Sequence, residues 1–466
     1  MPIEKLANTA TKYAIVDVIP DKCVNCHACI IHCPVQYANN GSGDYVTVNP
    51  DLCIGCGNCL SACQHQARYY IDDFDEFLLE LDHGTPMIAI TAPSIAANFP
   101  DRYLNMNGWL KSLGVDAVFD VSFGAELTVK SYLEAIKENN PQTVIAQPCP
   151  AIVSYIQIYQ PELIPYLAPI DSPMLHTIKM IREYYTEFAG HRIAAISPCI
   201  AKKREFLEAG LGDYNVTYKS IINYFKQSGI CLDHFEEIEY KNPPAQNAVL
   251  FSTPGGFMRT AEGWRADIRE KTRKIEGTNS VYPYLKTLPE AIDSQTAPLL
   301  IDCLNCEFGC NAGPGTTMSE TSLDKLESLI QQRKEKGRQQ YQQEPQKIES
   351  DTIENAIEQY WSKDLYGRRY QDLSDILVIE KPNPSELIQI FEKMHKYSDE
   401  DMYNCNSCGY KTCKTMAIAI HNGLNRPENC HFYLLKETDL SHQKTAMNEA
   451  RLESIIQSGL LGFLQV

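Results

Sequence analysis

Sixteen of the eighteen cysteines in this 466-residue chain fall into four sets of four, the donor count that one cubane [4Fe-4S] cluster takes. The sets are Cys23/Cys26/Cys29/Cys33, Cys53/Cys56/Cys59/Cys63, Cys149/Cys199/Cys306/Cys310 and Cys405/Cys408/Cys413/Cys430. The third says most. Cys149 in Gln-Pro-Cys-Pro, Cys199 in Ser-Pro-Cys-Ile-Ala-Lys-Lys and the pair in Cys306-Glu-Phe-Gly-Cys310 are single thiols spread over about 160 residues. They read as one four-thiolate site. Soft thiolates converging from distant strand ends can enclose a cubane deep inside a protein, a burial that suits catalysis or sensing. The start of the chain lacks the basic-then-apolar order of a secretory signal, so the protein is expected in the cytoplasm. There the thiols are expected as metal ligands rather than as a disulfide framework.

The first two sets have a tighter logic. Cys23-x2-Cys26-x2-Cys29-x3-Cys33-Pro34, followed by the same spacing from Cys53 to Cys63, is the two-cluster bacterial ferredoxin pattern, in which the fourth cysteine of each run reaches the other cluster. One cluster is then expected on Cys23, Cys26, Cys29 and Cys63, the other on Cys53, Cys56, Cys59 and Cys33. His27 and His32 are read as surface groups or hydrogen-bond donors to sulfur. The fourth set resembles the small four-cysteine [4Fe-4S] domains of corrinoid-protein and redox-partner modules. Structural zinc stands as its alternative, and either metal would fold this core-poor segment.

These thiols need elements to hold them. From Met87 onward, short apolar runs stop at Pro, Gly or Cys: Met87–Thr91, Ala117–Val121, Val144–Ala146, Ile193–Ile196, Ala248–Phe251 and Leu299–Ile301. Amphipathic stretches such as Glu126–Glu138 and Leu175–Phe188 lie between them, the alternation of parallel strands joined by helices. Ligands bind at the carboxyl ends of such strands, where the motifs stand. The Gln-rich stretch Gln331–Gln346 reads as a solvated helix or linker without chemistry of its own. The expected architecture is an α/β core of parallel sheets flanked by helices, with an α+β ferredoxin-like N-terminal domain and a small helical [4Fe-4S] domain. The segments are 1–78, 79–395, 396–436 and 437–466. A formal charge of −17 disfavours nucleic acid or an anionic membrane surface, and no apolar run reaches membrane-span length.

In order along residues 85–318, Ala92-Pro93-Ser94, Phe123-Gly124-Ala125-Glu126-Leu127-Thr128, Pro148-Cys149-Pro150, Ser172-Pro173, Pro198-Cys199-Ile200-Ala201-Lys202-Lys203-Arg204-Glu205, Pro254-Gly255-Gly256 and Cys306-x3-Cys310 resemble the successive motifs of [FeFe]-hydrogenases. The resemblance implies an H-cluster: a cubane on Cys149, Cys199, Cys306 and Cys310, joined through Cys310 to a di-iron unit bearing CO, cyanide and azadithiolate. It places Lys202 and Ser172 at the cyanides and Ala92 and Pro93 along the di-iron pocket. A buried anionic cyanide suits an ammonium donor. H2 and protons are the implied substrates. Maturation enzymes are implied partners, without which the di-iron unit is absent.

The departures from that pattern are specific. The family's proton-relay cysteine is here Pro148, which has neither an acidic proton nor an N–H. Ala168 stands for the relay serine, Ser131 and Tyr132 stand near the relay acids with Glu134 close by, and Ser197 stands where methionine is common. Cys303 is a candidate substitute proton group, with a buried inert thiol as the alternative; Cys231 reads as structural. Losing a positioned acid slows proton transfer on the order of 10²–10⁴-fold. The pattern resembles the sensory type of [FeFe]-hydrogenase, which implies slow turnover and electrons relayed through three accessory clusters to a redox or signalling partner such as a kinase or phosphatase. Residues 437–453 read as a connecting helix and a candidate homodimer contact, and the apolar run from Ile455 as the first strand of a truncated PAS domain. An ordinary catalytic hydrogenase and an iron–sulfur assembly protein without the di-iron unit stand as alternatives.

Overall fold

The computed structural model describes residues 13–318, 321–343 and 352–463. By contact the chain forms two compact units. The first holds the segment ending at Asp17 together with Pro50–Gly57 and Tyr69–Leu377, and the second holds Val18–Asn49, Asn58–Arg68 and the chain from Val378. The linear segments 1–78, 79–395 and 396–436 describe the order of motifs along the chain. The contact grouping follows different lines: Cys53 and Cys56 belong with the sheets, whereas the other ferredoxin cysteines belong with the C-terminal set.

Eleven strands are formed among the described residues. The short ones come first: β1 (Val16–Val18) pairs with β4 (Arg68–Tyr70), and β2 (Asn39–Asn40) pairs antiparallel with β3 (Thr47–Val48). Two parallel sheets make the first unit. One has the order β6-β5-β8-β9, from Ala117–Asp120, Met87–Thr91, Arg192–Ser197 and Tyr214–Thr217; the other has the order β10-β11-β7, from Thr272–Glu276, Leu300–Leu304 and Val144–Ile145. All five residues of β5 and of β11 are buried, the signature of a sheet covered on both faces. Continuous apolar runs therefore found β5, β6, β7, β8 and β11. They missed β9, which carries Tyr214, Asn215 and Thr217 among its four residues, and β10, whose Arg273 and Lys274 are exposed.

One expected strand is overturned. Ala248–Phe251 lies in a 3-10 helix, Ala248–Ser252, because the buried Glu126 Oε1 takes the Gln246 and Ala248 N–H groups at 3.0 and 2.8 Å. The Gln-rich segment is helical as far as Gln343, within the helix Leu323–Gln343, but it is not wholly solvated: Arg333 and Tyr341 are buried, and Leu326, Ile330 and Arg333 share one face at i, i+4 and i+7. Residues 344–346 lie outside the described residues.

The helices Val121–Asn139 and Pro173–Tyr184 cross closely because position 124 is glycine. A Cβ there would meet Thr177 Oγ1 and the Pro173 carbonyl, so a side chain would force the pair apart.

The second unit has its own core, in which Ile30, Val46, Ile390, Met394, Tyr410, Met416 and Phe432 pack together. At its end the helix His431–Phe463 runs without interruption. The expected PAS strand beginning at Ile455 is thus helical as far as Phe463; a helix satisfies its own N–H and C=O groups, whereas a lone strand leaves them unpaired. Residues 464–466 of that run lie outside the described residues. Among the described residues no helix is long and apolar enough to cross a membrane.

Candidate metal centre

The carboxyl ends of both sheets face one cavity in the first unit, holding with its mouth about 800 Å³ of space unfilled by protein atoms. Cys149, Cys199, Cys306 and Cys310 all line it, with Ala92, Pro93, Pro148 and Lys202. Each thiol arrives by a short exit from an element. Cys149 caps the helix Pro150–Tyr159, whose first residue is proline, a placement that needs no N–H donor. Cys199 leaves β8 in a turn held by its N–H to Ser197 Oγ at 3.0 Å. Cys306 follows β11, and Cys310 follows Gly309, whose φ of +68° and approach to the Ser252 carbonyl exclude any Cβ.

Burial pushes the Cys199 thiol up to about 11, with Cys149 adding to the rise, and burial with neighbouring thiols drives Cys306 and Cys310 higher. Four such thiols do not ionise without a cation among them. Four soft sulfur donors lining one buried cavity suit a multi-iron cluster in number and type.

Beside the thiols sits a buried charge cluster. Lys202 Nζ donates to Glu205 Oε2 at 2.5 Å, to Ser172 Oγ at 3.1 Å and to the Pro148 carbonyl at 3.3 Å. Ser172 Oγ donates to Glu205 Oε2 at 3.0 Å and Arg368 Nη1 to Oε1 at 2.7 Å. Burial pushes the Glu205 carboxyl up, but Lys202 and Arg368 prevail and hold it below its ordinary value. Arg368 Nη2 also lies 3.6 Å from Glu208 Oε2, and of this cluster Lys202 alone lines the cavity, so it is the Lys202 ammonium that an anionic occupant would meet. Glu205 closes the quoted motif, three residues after Lys202 on one helix, a spacing that puts both on one face. Arg368 had no sequence signal.

Other expected residues stand further back. Ser172, Ser197 and Cys303 do not line the cavity. Cys303 is fully buried on β11, its Sγ 3.7 Å from the Ala146 carbonyl. Ala168 is buried, and Tyr132 OH accepts from the Gln147 N–H at 3.0 Å. Ser131 Oγ lies 3.0 Å from His176 Nε2 and accepts from Trp361 Nε1 at 2.9 Å, while Glu134 pairs with Lys130. The sequence reading missed Arg333, which donates to the Pro93 carbonyl at 2.8 Å and pairs with Asp120 at 2.7 Å. Asp120 in turn caps the helix Val121–Asn139, so one ion pair braces the tips of β5 and β6.

The Cys53 loop is fastened here as well. Asn305 Nδ2 donates to the Cys56 carbonyl at 3.1 Å and lies 3.7 Å from Cys306 Sγ, while Arg204 Nη1 reaches the Asp51 and Cys53 carbonyls at 3.1 and 3.2 Å.

Residues 85–314 match the iron only hydrogenase large subunit, C-terminal domain; residues 15–64 match a 4Fe-4S dicluster domain, and residues 401–432 an Fe-S cluster domain. The chain is a hydrogenase-like iron–sulfur protein. Iron hydrogenase 1 of Clostridium pasteurianum is 24% identical to it over 230 residues, 42% of this chain and 40% of that protein. Nuclear prelamin A recognition factor of Rattus norvegicus is 29% identical over 137 residues, 26% of this chain and 30% of that one. Protein NAR1 of Arabidopsis thaliana is 26% identical over 167 residues, 30% of this chain and 35% of that one. The hydrogenase-like chain thus spans less than half the length of these relatives. A variant of the [FeFe]-hydrogenase HydA1 from Chlamydomonas reinhardtii aligns with a TM-score of 0.46 at 18% identity, over 65% of this chain and 99% of that one.

Proposed function

We propose that the central cavity holds an H-cluster and that the protein reacts with H2 slowly, passing electrons through accessory [4Fe-4S] clusters to a cytoplasmic signalling partner. The observation that carries this reading is the meeting of Cys149, Cys199, Cys306 and Cys310 with the Lys202 ammonium on one cavity wall of small residues and prolines. Such a cluster, when bound, supplies the metal chemistry of H2 cleavage and formation. The chain's own residues hold and shield it. Lys202 supplies a buried positive donor, and Ser172 and Glu205 keep that donor aimed. Ala92 and Pro93 leave room beside it. Pro148 offers the cavity only a carbonyl, already taken by Lys202, so no titratable proton is held where a relay would start. Slow exchange suits reporting the presence of H2 better than consuming it.

Iron–sulfur cluster assembly without the di-iron unit is the second reading, favoured by the likeness to a cytosolic Fe-S cluster assembly factor NAR1 of Yarrowia lipolytica, 25% identical over 112 residues. Infrared spectroscopy separates the two. After incubation with the maturation enzymes, the H-cluster reading expects CO and cyanide stretching bands that weaken or shift in Lys202→Ala. A sample with intact cubanes and no such bands would establish the assembly reading instead.

A further inference from the structure

The second unit brings two of the thiol sets against each other. Cys23, Cys29 and Cys59 share one apolar cluster with Cys408 and Cys430, and Ile30, Tyr410, Met416 and Phe432 fill it. The closest approach lies one residue from a candidate ligand on each side. Gly409 follows Cys408, Ile30 follows Cys29, and a Cβ built on Gly409 would lie 2.7 Å from Ile30 Cγ2 and 3.0 Å from the Ile31 nitrogen. Gly409 has φ +90°, so the backbone there is shaped for this contact and tolerates no side chain. Polar contacts lock the two loops on either flank: Gln36 Nε2 donates to the Gly409 carbonyl, Asn429 Nδ2 to the Gly41 carbonyl at 2.7 Å, and the Gly41 N–H to the Leu424 carbonyl at 2.8 Å. The Tyr37 and Tyr410 rings lie 6.0 Å apart between them. Cys405, Cys408, Cys413 and Cys430 line one small cavity with Met394, Met416 and Phe432.

A structural zinc site needs no such neighbour. A zinc ion has no redox chemistry, and nothing is gained by fastening its loop to that of an iron–sulfur cluster. We infer that the C-terminal four-cysteine site holds a redox-active [4Fe-4S] cluster that exchanges electrons directly with the cluster on the first ferredoxin loop, across the Ile30–Gly409 contact. In each exchange one cube is oxidised by one electron and the other reduced by one; no bond forms or breaks and no proton moves. Arg68 stands on the ferredoxin side, its Nη2 3.2 Å from Cys29 Sγ. A buried guanidinium on a ligand sulfur favours the more negative, reduced cube, so electrons collect beside the contact. The inference rests on the accessory clusters of the reading above and is independent of the di-iron unit.

The test uses the full chain with its clusters reconstituted from iron and sulfide. Iron per chain is counted, and the dithionite-reduced protein is examined by electron paramagnetic resonance. Replacing Cys408→Ser together with Cys413→Ser should remove about four iron per chain, one cubane's worth, and slow the spin relaxation of the ferredoxin clusters that remain. Gly409→Val should keep the iron yet weaken that interaction. Ile30→Ala, which cannot clash, should do the same if Gly409→Val fails to fold. An unchanged iron count after removal of the ligand pair, one zinc per chain in the parent, or ferredoxin relaxation indifferent to the ligand-pair change would overturn the inference. None of these results bears on the infrared bands, so a failure here leaves the H-cluster reading to be judged on its own.

Discussion

The central site and the C-terminal site use the same donor and reach it by opposite routes. Cys149, Cys199 and Cys306 are delivered by the ends of β7, β8 and β11, strands packed in two apolar cores that extend far beyond the thiols. Cys405, Cys408 and Cys413 lie within nine residues on loop and helix start, and only a small shared core lies beneath them. In the first case the fold makes the site; in the second the metal is expected to make much of the fold.

The sharpest way to break this comparison is to remove one thiol from each. Cys306→Ser should abolish the infrared bands and the central cluster while circular dichroism and the melting midpoint of the sheets change little. Cys413→Ser should leave the central bands intact but open residues 401–432 to hydrogen exchange and proteolysis. Equal loss of structure in both variants would erase the distinction.

A smaller effect is expected from Pro148→Cys. A thiol at this position adds a proton group where proline offers only a carbonyl, and H2 turnover in the matured protein should rise by about 10²-fold or more. An unchanged rate in a fully matured sample would place the slow step elsewhere.

The smallest expected effect concerns the scaffold alone. Burial pushes the Glu126 carboxyl up to about 7, against the backbone N–H groups that favour its charge. The folded state therefore holds a proton that the unfolded chain releases near pH 4.5, and stability falls as pH rises from there to about 7. At pH 8 the penalty is about 3 kcal/mol. Glu126→Gln keeps an oxygen for the Gln246 and Ala248 N–H groups and removes the titration, so its chemical-denaturation midpoint should be flatter across that range than the parent's.

Much of the framework was legible because its signals are local. An apolar run such as Met87–Thr91 needs no context to be read as a strand buried on both faces, and cysteines spaced by two residues have few other uses. What was missed has a physical reason in each case. The Ala248–Phe251 run looked like a strand, but a carboxylate about 120 residues earlier in the chain claimed its N–H groups. Arg333 was hidden in a polar stretch, since a buried charge announces itself only through a partner, here Asp120. The run from Ile455 carried the composition of a strand, yet as far as Phe463 it continues the helix begun at His431.

The sequence by itself determined the donor inventory, four sets of four thiols, and the order in which strands and helices would present them, because residue type and short-range spacing are properties of the chain alone. Only the tertiary structure decided that Arg368 joins the Lys202–Glu205 pair beside the central cavity, and that the Cys29 and Cys408 loops touch. Those pairings join residues that the chain keeps apart, and their energies depend on burial and distance, which exist only once the chain has folded.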